Sequence, residues 1–531
     1  MYQTQNQFSK QTKPFMNDAP NNFPGLHHFL LQFLDIAGLL LVLLIIIGGL
    51  TLLYMYLSDI TQSKQAIRRN YPIIGRFRYF FEHIGEFFRQ YFFAQDRDEL
   101  PFNRAQRAWV YRAAKQVDAT IAFGSTRPLN QPGDIIFLNG LFPVLTEEAS
   151  STQSVTVGAG YAAQPYTTDA LFNISAMSFG ALSVPAIKAL SRGANKAGIW
   201  MNTGEGGLSP YHLEGGCDIV FQIGTAKYGV RDEHGQLCDE KLRAIAEHEQ
   251  VKMFEIKLSQ GAKPGKGGIL PGAKVTEQIA AIRGIPAGHD SISPNGHADI
   301  RSIDELLDMI CRVRNVTGKP VGFKAVIGAS DWLDDLMQAV HRRGMQDAPD
   351  FITIDSADGG TGAAPQSLMD YMGLPIKRSL PLVIDKLYEY GLKERIKINT
   401  SGKLINPSEA AWALSMGADF VSSARGFMFA LGCIQALQCN KNTCPTGITT
   451  HDHDLQRGLN PADKAERVHH YAKQLSYEIA VIAHSCGVQE PRGLKRQHAQ
   501  IISAEGLPEA MESRFPIPVR REDIISVKAV D

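Results

Sequence analysis

From about residue 170, short apolar runs alternate with helix-length stretches, and this alternation restricts the fold more than any other feature. The runs are Leu171–Ala176, Ile199–Thr203, Asp218–Gly224, Lys252–Leu258, Val321–Ile327, Phe351–Asp355, Ile396–Thr400 and Ala418–Ser422. Between most of them lie helical patterns such as Asp304–Arg314 and Asp331–Arg343, long enough to cross back over a sheet as parallel strands require. Eight strands alternating with helices predict an α/β fold, a (β/α)8 TIM barrel over residues 166–505. A doubly wound open sheet is the alternative architecture.

In a barrel the loops that follow the strands build the active face. Here they read AMSFGALS, NTGEGGLSP, KLSQGAKPGKGGILPG, DSADGGTGAAP, NTSGK and SSARGF after strands one, two, four, six, seven and eight. Glycines let backbone N–H groups approach an anion closely, and barrels commonly hold a phosphate after strands seven and eight. A phosphate-bearing cofactor is therefore expected. Two tempting motifs fail: Pro165 interrupts the helix that GAGYAA would need as a dinucleotide fingerprint, and GAKPGKG has neither the spacing nor the Ser or Thr of a P-loop.

The N-terminal part carries a different signal. Ile36–Ser58 contains no charged residue and is long enough to cross a hydrocarbon core of ~30 Å. A polar stretch precedes it and no small-x-small cleavage site closes it, which argues against a cleaved signal peptide. Lys64, Arg68, Arg69, Arg76 and Arg78 follow it, against Lys10 and Lys13 before it, so a single-pass membrane protein with its catalytic domain on the cytoplasmic side is expected. The organisation expected is a polar tail over 1–35, a transmembrane helix over 36–58, a helical linker over 59–165, the barrel, and a tail over 506–531. Within Asn70–Lys115, Phe77, Phe80, Phe81, Ile84, Phe87, Phe88 and Tyr91 recur at helical spacing. That stripe suits a membrane surface and the protein's own core equally well.

The 531 residues have net charge +0, which gives no global attraction to nucleic acid. Seven cysteines, four of them scattered, do not form a disulfide framework and suit a reducing compartment. The other three, Cys433, Cys439 and Cys444, fall in LGCIQALQCNKNTCPTG directly after the eighth strand. Their C-x5-C-x4-C spacing suits an iron–sulfur cluster held by three thiolates. A zinc site completed by His451 or His453 is the competing reading.

The stretches SAMSFGALS, NTGEGG, IKLSQGAKPG, DGGTGAAP and ALGCIQALQCNKNTCPTG together resemble the flavin-binding synthase domain of the glutamate synthases, in the family's order over about residues 170 to 455. The resemblance implies a barrel binding FMN beside a [3Fe–4S] cluster, in a stand-alone, membrane-anchored member. It implies that Met177, Ser178, Asn202, Gln222 and Lys257 surround the flavin ring, and that Gly359, Gly360 and Thr361, Ser401 and Gly402, and Ala424 and Arg425 cradle its phosphate. Cys433, Cys439 and Cys444 would hold the metal. Among the catalytic residues, Lys257 would stabilise charge on the reduced ring, Glu205 would face the substrate and handle its proton, and Lys263 and Arg283 would pair with the carboxylates of a 2-oxoglutarate-like acid. The competing structural readings make Glu205 a helix-cap partner and Arg283 a surface residue; Lys324 is an inward candidate without a role.

Departures count as well. Where the family reads KPGEGGQLPG this chain reads KPGKGGILPG, so Lys266 and Ile269 replace a glutamate and a glutamine, which weakens recognition of 2-oxoglutarate or admits another carbonyl or imine. No cysteine precedes Cys217, so no glutaminase nucleophile is expected in this chain, nor the family's C-terminal β-helix. The function implied is reduction of an imine formed from a keto acid and ammonia or an amine. Electrons would come from ferredoxin or an NAD(P)H reductase subunit, and ammonia from solution or a separate subunit. The competing functions are a membrane-linked flavin dehydrogenase acting on an amino or hydroxy acid, and a non-catalytic redox scaffold.

Overall fold

The computed structural model describes residues 24–118 and 120–521. Most of the polar N-terminal tail, with Lys10 and Lys13, and the end of the C-terminal tail lie outside the described residues. The chain divides into two compact units, residues 1–99 and 100–531.

In the first unit, helix α1 (Pro24–Thr61) contains the uncharged run Ile36–Ser58. Its segment His28–Thr61 is long and apolar enough to cross a membrane, and from His28 to Tyr54 its side chains are exposed. A short helix, Ala66–Asn70, and helix α2 (Gly75–Phe88) follow, and α2 runs on into a wider turn over Arg89–Phe93. The stretch Asn70–Lys115 is therefore two structures and not one. Pro101, lacking an N–H and disfavouring helix in the residue before it, separates α2 from helix α3 (Arg104–Ala114). Asn103 starts α3 afresh by accepting from Gln106 N while the Gln106 side chain accepts from Asn103 N.

The second unit is built on a closed barrel of eight parallel strands. They are β1 (Phe172–Ile174), β2 (Met201–Asn202), β3 (Ile219–Ile223), β4 (Val251–Lys257), β5 (Val321–Val326), β6 (Phe351–Asp355), β7 (Lys397–Ser401) and β8 (Phe420–Ser423). Each lies within or overlaps one expected run, and pairing of β8 with β1 closes the sheet, which excludes the open-sheet alternative. Helix α4 (Val184–Ala197) shows how sequence sets the crossovers: the Ser183 hydroxyl accepts from Ala186 N at the start, and Gly198 ends the helix in the left-handed region at φ 70°. Helices α5 (Asp239–Ala246), α6 (Glu277–Arg283), α7 (Ile303–Thr317), α8 (Asp331–Arg343), α9 (Ile376–Glu389) and α10 (Pro407–Ser415) serve the later connections. Between β2 and β3 a single turn, Pro210–Leu213, takes the helix's place.

Because side chains alternate along a strand, each strand points every second residue into the barrel. The floor is apolar: Trp200, Val220, Met253, Phe351 and Phe420 pack with Val157 and Tyr166 of a hairpin that plugs the amino end. Above it the lining turns polar, and at the carboxyl end it is charged. After β8, helix α11 (Arg425–Leu431) leads into the cysteine loop, and the long helix α12 (Pro461–Ser485) packs along α4 and α3.

Candidate active site

The carboxyl ends of the strands open into one cavity of about 620 Å³, a size that suits a small ligand or cofactor. Its base is a buried polar layer centred on Glu255 of β4. That carboxylate accepts from Asn202 Nδ2 at 2.8 Å, Gln222 Nε2 at 2.6 Å and the Thr353 hydroxyl at 2.5 Å. Asn399 and Ser422 extend the network, with Asn399 Nδ2 donating to Thr353 Oγ1 and Ser422 Oγ donating to Asn399 Oδ1. Fully paired, such a layer fixes its members in one arrangement. Asn202 also accepts from Gly204 N, so it stays in this layer beneath the cavity and does not line it. Gln222 does line it, and because its amide nitrogen donates to Glu255, its carbonyl oxygen is left for the cavity side.

A charged cluster stands on this base. Lys257, two residues beyond Glu255 on the same face of β4, places Nζ 2.8 Å from Glu205 Oε1, and Lys263 Nζ lies 3.9 Å from the same oxygen. Glycines make room for the carboxylate: a Cβ at Gly224 would sit 2.6 Å from Glu205 Cβ, and one at Gly268 2.7 Å from Oε1. Burial pushes the Glu205 carboxyl up, but the ammonium groups of Lys257 and Lys263 outweigh it and hold the group at about 2, firmly ionised. Burial and the neighbouring Lys257 bring Lys263 down to about 8. Arg283, at the end of α6, is 6% exposed and donates to Ser291 Oγ and Phe179 O, while its Nε is buried with no hydrogen-bond partner among the described residues. It is no surface residue, and Glu205 caps no helix. Lys324 of β5 pairs with Asp355 of β6 at 3.3 Å.

The opposite wall is made of the glycine loops. Gly359, Gly360, Thr361, Ser401, Gly402, Ala424 and Arg425 all line the cavity, as do Met177 and Ser178 on the β1 side. Gly402 has φ 116° and its missing Cβ would fall 2.2 Å from Ser356 Cβ, so only glycine lets β7 and β6 approach there. Arg425 is half-buried over the Phe102 ring, 4.6 Å from its centre, and Lys403 pairs with Asp358 at 3.0 Å. A backbone-lined wall with two cations fits a phosphate, and the whole cavity fits a flavin mononucleotide.

Cys433, Cys439 and Cys444 line the same cavity. Residues early in the second unit hold their loop: the Tyr111 hydroxyl donates to Cys433 O at 2.6 Å, and the Gln435 side chain donates to Phe102 O and accepts from Phe102 N. On the other side Lys274 Nζ donates to Ala181 O and Cys439 O. Burial raises the Cys433 thiol to about 12 and also raises Cys439; at Cys444, burial is outweighed by hydrogen bonds from Thr446 and Thr449, and the thiol is lowered. Among the described residues, no three His, Cys, Asp or Glu side chains are drawn together as a metal site. The donor set itself suits iron–sulfur ligation by thiolates. His451 bonds Gly180 O through Nε2 at 2.9 Å, which leaves only Nδ1 as a possible donor for the competing zinc reading.

Glu255, Lys274, Lys403, Tyr111 and Gln435 are the site residues that sequence reading passed over. One signal was available: Glu255 and Lys257 alternate onto the same face of one strand, which marks a polar barrel interior.

Charge gathered at the carboxyl mouth of a closed barrel, above a polar interior, defines the general class: a (β/α)8 protein with a ligand-binding upper face. Comparison with known proteins makes the assignment specific. The conserved region in glutamate synthase matches residues 144–489, and the chain belongs to the glutamate synthase family. A glutamate synthase large subunit-like protein of Bacillus subtilis (strain 168), YerD, is 39% identical over 491 residues, covering 85% of this chain and 93% of that protein. An archaeal-type glutamate synthase (NADPH) of Thermotoga sp. (strain RQ2) is 35% identical over 337 residues, 63% of this chain, and the match spans 62% of the Thermotoga protein. A glutamate synthase large subunit-like protein of Rhizobium meliloti (strain 1021) is 27% identical, covering 72% and 87%.

Proposed function

We propose that this chain is a membrane-tethered oxidoreductase of the glutamate synthase type, which reduces an imine formed from 2-oxoglutarate or a related keto acid and ammonia or an amine. The observation that carries the reading is the convergence, in one cavity, of the Glu205–Lys257–Lys263–Arg283 cluster, the glycine-rich wall and three cysteine thiols. FMN, when bound, supplies the hydride chemistry. Gln222 and Lys257 lie at the base where the ring would rest, and Gly359–Thr361, Ser401, Gly402, Ala424 and Arg425, with Lys403 added, would hold its phosphate. Asn202 acts from below by fixing Gly204 and Glu255. Cys433, Cys439 and Cys444 would carry a [3Fe–4S] cluster.

Lys263 and Arg283, both lining the cavity, hold substrate carboxylate. Glu205 is too acidic to give up a proton at neutral pH. It serves as the fixed anion that keeps two ammonium groups in place, and Lys263, at about 8, is the group able to deliver a proton. Electrons come from a separate ferredoxin or NAD(P)H reductase subunit, and ammonia from solution or a separate supplying subunit. Helix α1 attaches the chain to the membrane, with the barrel on the cytoplasmic side.

The test uses the full chain, purified in detergent without oxygen, for which flavin identity and iron and sulfide per chain are determined. One FMN with about three irons supports the reading. FMN without iron leaves the flavin and removes the cluster. A folded chain that takes up neither cofactor overturns it.

A further inference from the structure

The segment after α1 carries an aromatic surface that the described residues of its own compact unit leave uncovered. Phe77, Phe80, Phe81 and Phe88 of α2 are exposed, as is Tyr91, and Phe92 and Phe93 are each 74% exposed. At ~100° per residue, Phe77, Phe80, Phe81, Ile84, Phe88 and Tyr91 share one face of the helix, Arg78 and Arg89 lie together off one edge of it, and Glu82 falls just beyond them, away from the aromatic face. The aromatic rings touch one another, with centres 5.4 Å apart for Phe80 and Phe81 and for Phe88 and Phe92.

A buried ion cluster ties this surface to the apolar helix. Asp59, in the last turn of α1, has no exposed side-chain surface. It accepts from Arg68 Nη2 at 2.5 Å, from Arg76 Nε at 2.9 Å and from Ile73 N at 2.9 Å. The intervening residues are thereby folded into a fixed turn between the two helices of one compact unit. An exposed apolar helix of spanning length is thus followed, across a locked turn, by a helix with an exposed aromatic face.

We propose that residues 75–93 lie in the interface of the bilayer that α1 crosses, with the aromatic rings at the level where headgroups meet acyl chains and Arg78 and Arg89 at the lipid phosphates. This rests on the reading of α1 as a membrane span. A lipid surface is favoured over a protein partner because the locked turn ties the aromatic helix directly to the end of the apolar helix within one compact unit, and because Arg78 and Arg89 lie along one edge of the aromatic face, where phosphates would lie.

The full chain is placed in nanodiscs of phosphatidylethanolamine and phosphatidylglycerol, carrying the photoreactive residue p-benzoylphenylalanine singly at Ile46, Phe81 or Glu82. Illumination followed by mass spectrometry is expected to give lipid adducts at positions 46 and 81 and several-fold fewer at 82. Lipid adducts at 46, with position 81 cross-linked to residues 100–531, overturn the interfacial helix in favour of packing on the chain's own barrel. A cross-link from 81 to a second copy overturns it in favour of self-association. Absence of lipid adducts at 46 overturns the spanning reading itself, so the two failures are distinguishable.

Discussion

Lys263 and Glu205 hold each other's protonation in balance, and that balance is measurable. Folding lowers the Lys263 ammonium from its ordinary 10.5 to about 8, so between those values the folded chain binds fewer protons than the unfolded one. Its burial penalty is complete below pH about 8 and is relieved as pH rises. The stability difference between wild type and Lys263→Met, followed by denaturant unfolding, should shift in favour of wild type from pH about 8 upward. In turnover, kcat/KM should fall above pH about 8 as Lys263 loses its proton. Glu205→Gln removes the anion that raises the lysine's affinity, and it should move that limb to lower pH and cost about 10²-fold or more in rate. An unmoved limb would show that Lys263 is not the proton donor. A second residue bears on the proposed substrate: Ile269 lines the cavity with an apolar, 37% exposed side chain. Ile269→Gln, by restoring a polar contact, should lower KM for 2-oxoglutarate about tenfold, with little change in KM for an apolar 2-oxo acid.

Among the elements, α3 and the residues before it act as a strap across the cysteine loop. Phe102 packs edge-on against Phe429 of α11, Trp109 against Tyr471 of α12, and Tyr111 reaches the Cys433 carbonyl. Tyr111→Phe removes that hydrogen bond and keeps the ring, at a cost of about 1 kcal/mol to the loop. The expected result is faster loss of iron to a chelator with flavin content unchanged. Retention of iron at the wild-type rate would make the strap structural only. The strap is not legible as such in the sequence. Its periodicity continues that of the aromatic stretch, and the break becomes visible through Pro101 and the Asn103 cap together with contacts to helices more than 300 positions away.

At the scale of the molecule, the barrel presents a polar, charged cavity over an apolar floor, and a cofactor that binds the folded state alone adds to its stability by mass action. FMN in roughly hundredfold excess over its Kd should raise the unfolding free energy by about 2.7 kcal/mol, seen as a rise in Tm of the barrel by several degrees. Riboflavin, lacking the phosphate, should give a much smaller rise if Arg425, Lys403 and the glycine wall hold that group. Equal shifts for the two would displace the phosphate from that wall. The apolar helix and the barrel ask different things of their surroundings, and the chain keeps them in separate units.

The sequence by itself determined the strand order, the glycine loops at the carboxyl ends of the strands, the apolar helix and the cysteine loop. These are local or periodic properties: a strand buried on both faces reads as an apolar run, a tight loop as glycine, a membrane-length helix as an uncharged stretch. Only the tertiary structure decided which side chains meet. Glu205 lies 52 positions from Lys257, and which of its neighbours set its charge depends on the closed barrel and on two glycines that leave it space. Glu255 acquires its three donors from β2, β3 and β6 once the sheet has closed, and Asn202 is drawn below the cavity by that bond. Long-range pairing leaves no period in the sequence, so the elements are legible there and the electrostatics of the site are not.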